Sequence, residues 1–195
     1  MNDDLAETME TYDRVAGEYR KRHEDREPLA DQVDRFCEAV DGSIVLDVGC
    51  GPGWESATFA ERGFEVLGMD LTPGLLDIAT DEAPTVDFAR MDMRTLGVAD
   101  GAVDGIWACA SFLHVPRSDA QETLAGFRRV LRDGGVLWLS VKRGSGTRPG
   151  DTYEGDDREF TLYRADELRE LVSDAGLTVE FVSDGEWIQV LARAD

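Results

Sequence analysis

A chain of 195 residues, 42% hydrophobic and 31% charged, has the material for one globular domain with a real core, and its composition excludes fibrous and disordered classes. Its 41 acidic residues against 20 basic ones give a formal net charge of −21, and so negative a surface repels polyphosphate, which argues against nucleic acid as a partner. The acidic start MNDDLAETMETYDR does not read as a secretion signal, no apolar run nears the roughly 20 residues of a bilayer span, and Cys37, Cys50 and Cys109 form neither an even disulfide set nor a zinc pattern, so a soluble, cytoplasmic protein with no membrane partner is expected. Residues 5 to 23 read as a helix, because Leu5, Met9, Tyr12, Ala16 and Tyr19 recur at three- and four-residue steps on one face. A second helix follows Pro28, carries Leu29, Val33, Phe36 and Val40, and ends at Gly42. The short apolar run 43 to 47, closed by glycines, reads as a buried parallel strand, with a helix over 54 to 62 and a second strand over 64 to 69, closed by Asp70. Pro73 opens a helix; strands follow over 86 to 91 and 103 to 109. Ser118 and Gln121 form a possible capping box ahead of a helix bearing Leu124, Phe127, Val130 and Leu131. A fifth strand spans 136 to 141, residues 144 to 158 read as a glycine-rich acidic loop, a helix spans 165 to 175, and strands near 179 to 182 and 187 to 193 finish the chain.

Alternating strands and helices imply an α/β fold with a mostly parallel sheet covered on both faces. The last two strands are joined only by Ser183-Asp184-Gly185, too short for a parallel crossover, so the last strand should run antiparallel. The whole chain, 1 to 195, is expected to be a single domain, with 1 to 42 as a helical cap on a core of 43 to 195.

The informative segment is Asp47-Val48-Gly49-Cys50-Gly51-Pro52-Gly53, three glycines between a strand and a helix. Glycine permits the tight turn and lets a ligand approach the backbone, at the carboxyl end of the sheet where ligands bind. A nicotinamide-dependent oxidoreductase uses such a loop too, but the third glycine of its GxGxxG fingerprint would fall at Trp54. Asp47 also disfavours a pyrophosphate and suits an ammonium-bearing ligand.

This run resembles the E/DxGxGxG motif of class I S-adenosylmethionine-dependent methyltransferases, and the order of elements from about 43 to 193 is similar to that fold throughout. Small-molecule-type members with a helical N-terminal cap are the most similar. The resemblance implies a Rossmann-like three-layer sandwich with a seven-stranded sheet, S-adenosylmethionine as cofactor and S-adenosylhomocysteine as its product. It places Asp47, Gly49, Cys50, Gly51 and Gly53 in the cofactor loop. Asp70 would take both ribose hydroxyls and Leu71 would lie against the adenine. Asp92 would accept from the adenine amino group, beside Met93. Ala110 would touch the methionine part. Tyr12 of YDRVAGEYRKRH would either close over that part or pack in the core, and Arg20 would either meet the cofactor carboxylate or stay solvated.

Methyl transfer is an in-line displacement with a neutral leaving group, so positioning and exclusion of water supply much of the rate. A base is needed only for a protonated acceptor. His114, just past the fourth strand, is the candidate, against a structural role capping the next helix; His23 sits in a charged helix tail. Lys142 and Arg143, at the same sheet edge, either bind an anionic acceptor or are solvated, and Trp187 either lines the acceptor pocket or packs in the core. Residues 144 to 158 could act as a lid. No N/DPPY-type motif follows the fourth strand and no metal is indicated. The expected partner is a small-molecule methyl acceptor, the expected assembly a monomer or homodimer, and the rival function a non-catalytic S-adenosylmethionine-binding module. Only Lys21 and Lys142 are lysines, and an acidic, lysine-poor coat fits a halophilic cytoplasm.

Overall fold

The computed structural model describes residues 3–195. Helices α1 (Asp3–Arg22) and α2 (Ala30–Ala39), joined through a 3-10 turn at Glu27–Leu29, precede the sheet. The chain continues through β1 (Ile44–Val48), α3 (Trp54–Glu61), β2 (Glu65–Asp70), α4 (Pro73–Glu82), β3 (Asp87–Arg90) and β4 (Val103–Cys109). After a 3-10 turn at Phe112–His114 come α5 (Ala120–Val130), β5 (Leu131–Lys142), β6 (Thr147–Pro149), β7 (Glu159–Thr161), α6 (Ala165–Asp174), β8 (Leu177–Val182) and β9 (Trp187–Ala194).

Seven strands form one sheet in the order β3-β2-β1-β4-β5-β9-β8. The first five are parallel, and β9 runs antiparallel between β5 and β8. This is the Rossmann-like, mostly parallel α/β sandwich with an antiparallel last strand. The order reverses between β1 and β4, so the loops leaving those strands diverge and open a crevice at their carboxyl ends.

Successive side chains on each strand point to opposite faces, and the sheet uses both. Leu46, Ile106, Leu137 and Leu139 face a core with Phe127 and Leu168, whereas Val45, Trp107, Val136 and Trp138 face a second core with Phe36 and Phe59. Trp107 and Trp138 stack at 5.5 Å across neighbouring strands.

Two local expectations change. Ser118 does not close a capping box: its hydroxyl donates to the Asp119 carboxylate (2.8 Å), and α5 starts one residue later, with the Asp119 carbonyl accepting from Thr123 Oγ1 (2.9 Å). Residues 144 to 158 are not simply a loop, because β6 pairs antiparallel with β7 as a hairpin that places Thr147 opposite Thr161. The hairpin docks on α1: the Asp157 and Glu159 amides donate to the hydroxyls of Thr11 (3.3 Å) and Thr8 (3.4 Å). No helix among the described residues is long and apolar enough to cross a membrane.

Candidate active site

The three glycines of the bend between β1 and α3 all have left-handed backbone, with φ of 71°, 54° and 81° at Gly49, Gly51 and Gly53, but they serve different ends. A Cβ on Gly49 would lie 2.3 Å from Ser111 Cβ, whose hydroxyl donates to the Val48 carbonyl at 2.6 Å and so ties β4 to β1. A Cβ on Gly53 would press on Ala79 (3.0 Å) and Phe88 (3.1 Å), so this glycine lets α3 lie close to α4 and β3. A Cβ on Gly51 would meet only Tyr19 Cε1, at 3.9 Å. Gly51 therefore borders open space, and a ligand can reach the backbone there.

Asp70, ending β2, fixes that bend. Its Oδ2 accepts from the Gly51 amide (3.1 Å) and its Oδ1 from the Thr72 amide (2.8 Å). Each carboxylate oxygen keeps a further lone pair, so the side chain can still accept from a pair of adjacent hydroxyls. Burial pushes its pKa up, against these amide bonds.

Above the bend lies a cleft open to solvent. Tyr12, Gly49, Gly51, Asp70, Leu71, Met93, Ala110 and His114 all line it. Met69, Leu75 and Met91 make its inner wall apolar beside the Asp70 carboxylate. Cys50 faces a second chamber that opens alongside. Asp47, Gly53 and Asp92 do not line the cleft. Asp47 is 2% exposed behind the bend, where its Oδ2 accepts from Ser56 Oγ at 2.6 Å, and burial together with the Glu55 charge pushes it up to about 8. Asp92 is occupied by Arg94, which bridges it (2.7 Å) to Asp119 (3.1 Å) at the start of α5. Arg20 pairs with Glu82, and Arg143 with Asp184 (3.4 Å).

Ala110 is the one residue other than glycine with positive φ among the described residues, at 53°. Its amide donates to the carbonyl (3.1 Å) and hydroxyl (3.0 Å) of Ser140, which hold β4 in this turned end. Beyond it, His114 Nδ1 lies 3.2 Å from the Glu159 carbonyl and Nε2 lies 3.0 Å from the Tyr12 hydroxyl. A carbonyl only accepts, so Nδ1 carries the hydrogen and Nε2 accepts from Tyr12. Burial pushes His114 down to about 4 and Tyr12 up to about 12, so both are neutral near pH 7. Tyr12 is thus a side chain of the cleft rather than ordinary core.

Residues 45–135 match the family model described as a methyltransferase domain. Over 150 residues the chain is 32% identical to a malonyl-[acyl-carrier protein] O-methyltransferase of Serratia marcescens, covering 76% of this chain and 58% of that one. Over residues 45–135 the chain carries the sequence of a methyltransferase domain. It spans about half the length of the curated relatives it matches. Among solved folds, a 1,6-didemethyltoxoflavin-N1-methyltransferase of Burkholderia thailandensis, with 1,6-didemethyltoxoflavin and S-adenosylhomocysteine bound, superposes with a TM-score of 0.78 at 22% identity, over 97% of this chain and 88% of that one. The [4+2]-cyclase SpnF superposes with a TM-score of 0.70 at 22% identity, over 86% and 80% of the two chains, so the fold alone does not fix a reaction.

Sequence reasoning missed the side chains that close the site. Tyr19 lies edge-on to Tyr12 at 5.4 Å and lines both cavities. Arg26 stacks on Trp54 at 4.7 Å and pairs with Glu55 at 2.7 Å. Arg158, 5% exposed, pairs with Asp156 at 2.6 Å and lies 4.9 Å from the Tyr12 ring. Tyr19 shares the helical stripe of Tyr12, which was a usable signal. The two arginine pairs sit in polar stretches that give none.

Proposed function

We propose that the chain is an S-adenosylmethionine-dependent methyltransferase acting on a small-molecule acceptor. One observation carries the cofactor: Asp70 clasps the Gly51 amide at the edge of the open space beside Gly51, with lone pairs left for two adjacent hydroxyls. The residues present fit a nucleoside. Asp70 would hold the ribose, Leu71, Leu75 and Met93 would cover the adenine, and Gly49, Gly51 and Ala110 would border the methionine part. Bound there, S-adenosylmethionine supplies an electrophilic methyl group on a sulfonium and leaves as neutral S-adenosylhomocysteine.

The chain's own part is to position, to exclude water and to move a proton where one must leave. Tyr12 and Tyr19 from α1 separate the cleft from the second chamber and shield the reacting atoms. An acceptor proton would pass to Tyr12 Oη as the Tyr12 proton passes to His114 Nε2, with Nδ1–H still held by the Glu159 carbonyl. With its pKa near 4, His114 is a weak base, which suits an acceptor that is itself acidic.

The test is turnover. Incubation with S-adenosylmethionine and fractionated small-molecule extract should release S-adenosylhomocysteine with one acceptor gaining a methyl. Binding without release of S-adenosylhomocysteine on any fraction would favour a non-catalytic module or another reaction on this fold, as SpnF exemplifies.

A further inference from the structure

The second chamber shares Tyr12, Tyr19, Gly51 and Ala110 with the cleft, so the two adjoin along those residues. Its far side is formed by Lys142 at the end of β5, Phe160 of β7 and Trp187 at the start of β9. Lys142 lies two strands from β1, about 10 Å across the sheet, and Trp187 one strand further. Lys142 Nζ sits 4.3 Å above the Phe160 ring and 5.7 Å from the Trp187 ring.

Charge in the chamber is unevenly matched. Arg26 and Glu55 neutralise each other near the bend, and the Arg158 guanidinium is held by both oxygens of Asp156 (2.7 and 2.6 Å). Asp25 lies on the cap side, where its Oδ1 accepts from the Glu27 amide. Lys142 makes no ion pair among the described side chains, although the chain carries a net charge of −21. Its neighbours are aromatic faces and Arg158, 5.3 Å from the same Phe160 ring, while Arg148 and the carboxylates of Asp151 and Glu186 act on it from further off without pairing with it. A partly desolvated ammonium there favours an incoming anion.

Resting on the methyltransferase reading, we propose that the acceptor is a flat organic carboxylate whose acid group pairs with Lys142 while its body lies against Phe160 and Trp187. Lys142 would then be a specificity residue, setting which molecule meets the cleft and taking no part in the transfer.

The probes are planar carboxylic acids (benzoates, cinnamates, pyridine and quinoline carboxylates), each paired with its uncharged primary amide. They are titrated into the protein saturated with S-adenosylhomocysteine, and tryptophan fluorescence reports occupancy. At least one acid should bind about tenfold more tightly than its amide. Lys142→Met should abolish the difference and Lys142→Arg should keep it, with S-adenosylhomocysteine affinity unchanged in both. No acid preference anywhere in the panel, or a preference that survives Lys142→Met, overturns the proposal. Failure of the wild type to bind S-adenosylhomocysteine would instead strike the methyltransferase reading on which it rests.

Discussion

At Gly51 the backbone is left-handed and a side chain would enter the cleft; at Gly53 the backbone is left-handed and a side chain would enter the core. The same substitution should therefore have opposite signatures. Gly51→Ala should lower stability by about 1 kcal/mol, the cost of the backbone alone, yet weaken S-adenosylhomocysteine at least about tenfold. Gly53→Ala should lower the melting temperature further and leave the affinity of the folded fraction nearly intact. Melts paired with calorimetry separate the two, and matching signatures would contradict the assignment of Gly51 to the ligand. His114 gives a second prediction. Burial holds it near 4 against an ordinary 6.5, so between those values the unfolded chain binds a proton that the folded chain refuses. Its contribution to stability is full above 6.5 and lost as pH falls toward 4, by up to about 3 kcal/mol. Denaturation curves of wild type and His114→Gln should converge as pH falls through that window; parallel curves would show that His114 titrates normally.

The hairpin of β6 and β7 is where the sequence was least legible. Its three-residue strands are too short to show alternation, and the glycines and acids between them read as loop. The buried pair Asp156–Arg158 looks, in sequence, like two more solvated charges. By contrast, the seven strands of the main sheet could be read, because apolar runs closed by glycine or aspartate mark buried parallel strands. The short Ser183-Asp184-Gly185 turn foretold the antiparallel β9. The site was half legible. Gly51 and Asp70 follow from a motif and its spacing, whereas the partners of Asp47 and Asp92 are set by tertiary contacts that no local pattern carries. Asp156 also accepts from the amides of Thr152 (2.9 Å) and Tyr153 (3.3 Å), so it organises the hairpin as well as Arg158. Asp156→Ala leaves a buried guanidinium unpaired, a loss of about 3 kcal/mol. Amide exchange should accelerate across 147 to 161 more than in β1 or β4, and turnover should fall. Unchanged exchange in the hairpin would mean that the pair does not hold it.

The whole molecule carries its net charge of −21 on a surface where many ion pairs are exposed and individually weak. Self-repulsion should then dominate surface electrostatics, and salt should relieve it. The melting temperature should rise by about 5 °C or more between low and molar salt; equal values would argue against adaptation to a saline interior. The roles proposed for the cleft and the chamber rest on a nucleoside being held between Gly51 and Asp70, and calorimetry tests that contact most directly. S-adenosylhomocysteine titrated into wild type should bind one site per chain, with affinity reduced about a hundredfold or more in Asp70→Ala and no competition from NAD. A wild type that takes up no S-adenosylhomocysteine, or an Asp70→Ala protein that binds it equally well, would contradict the assignment.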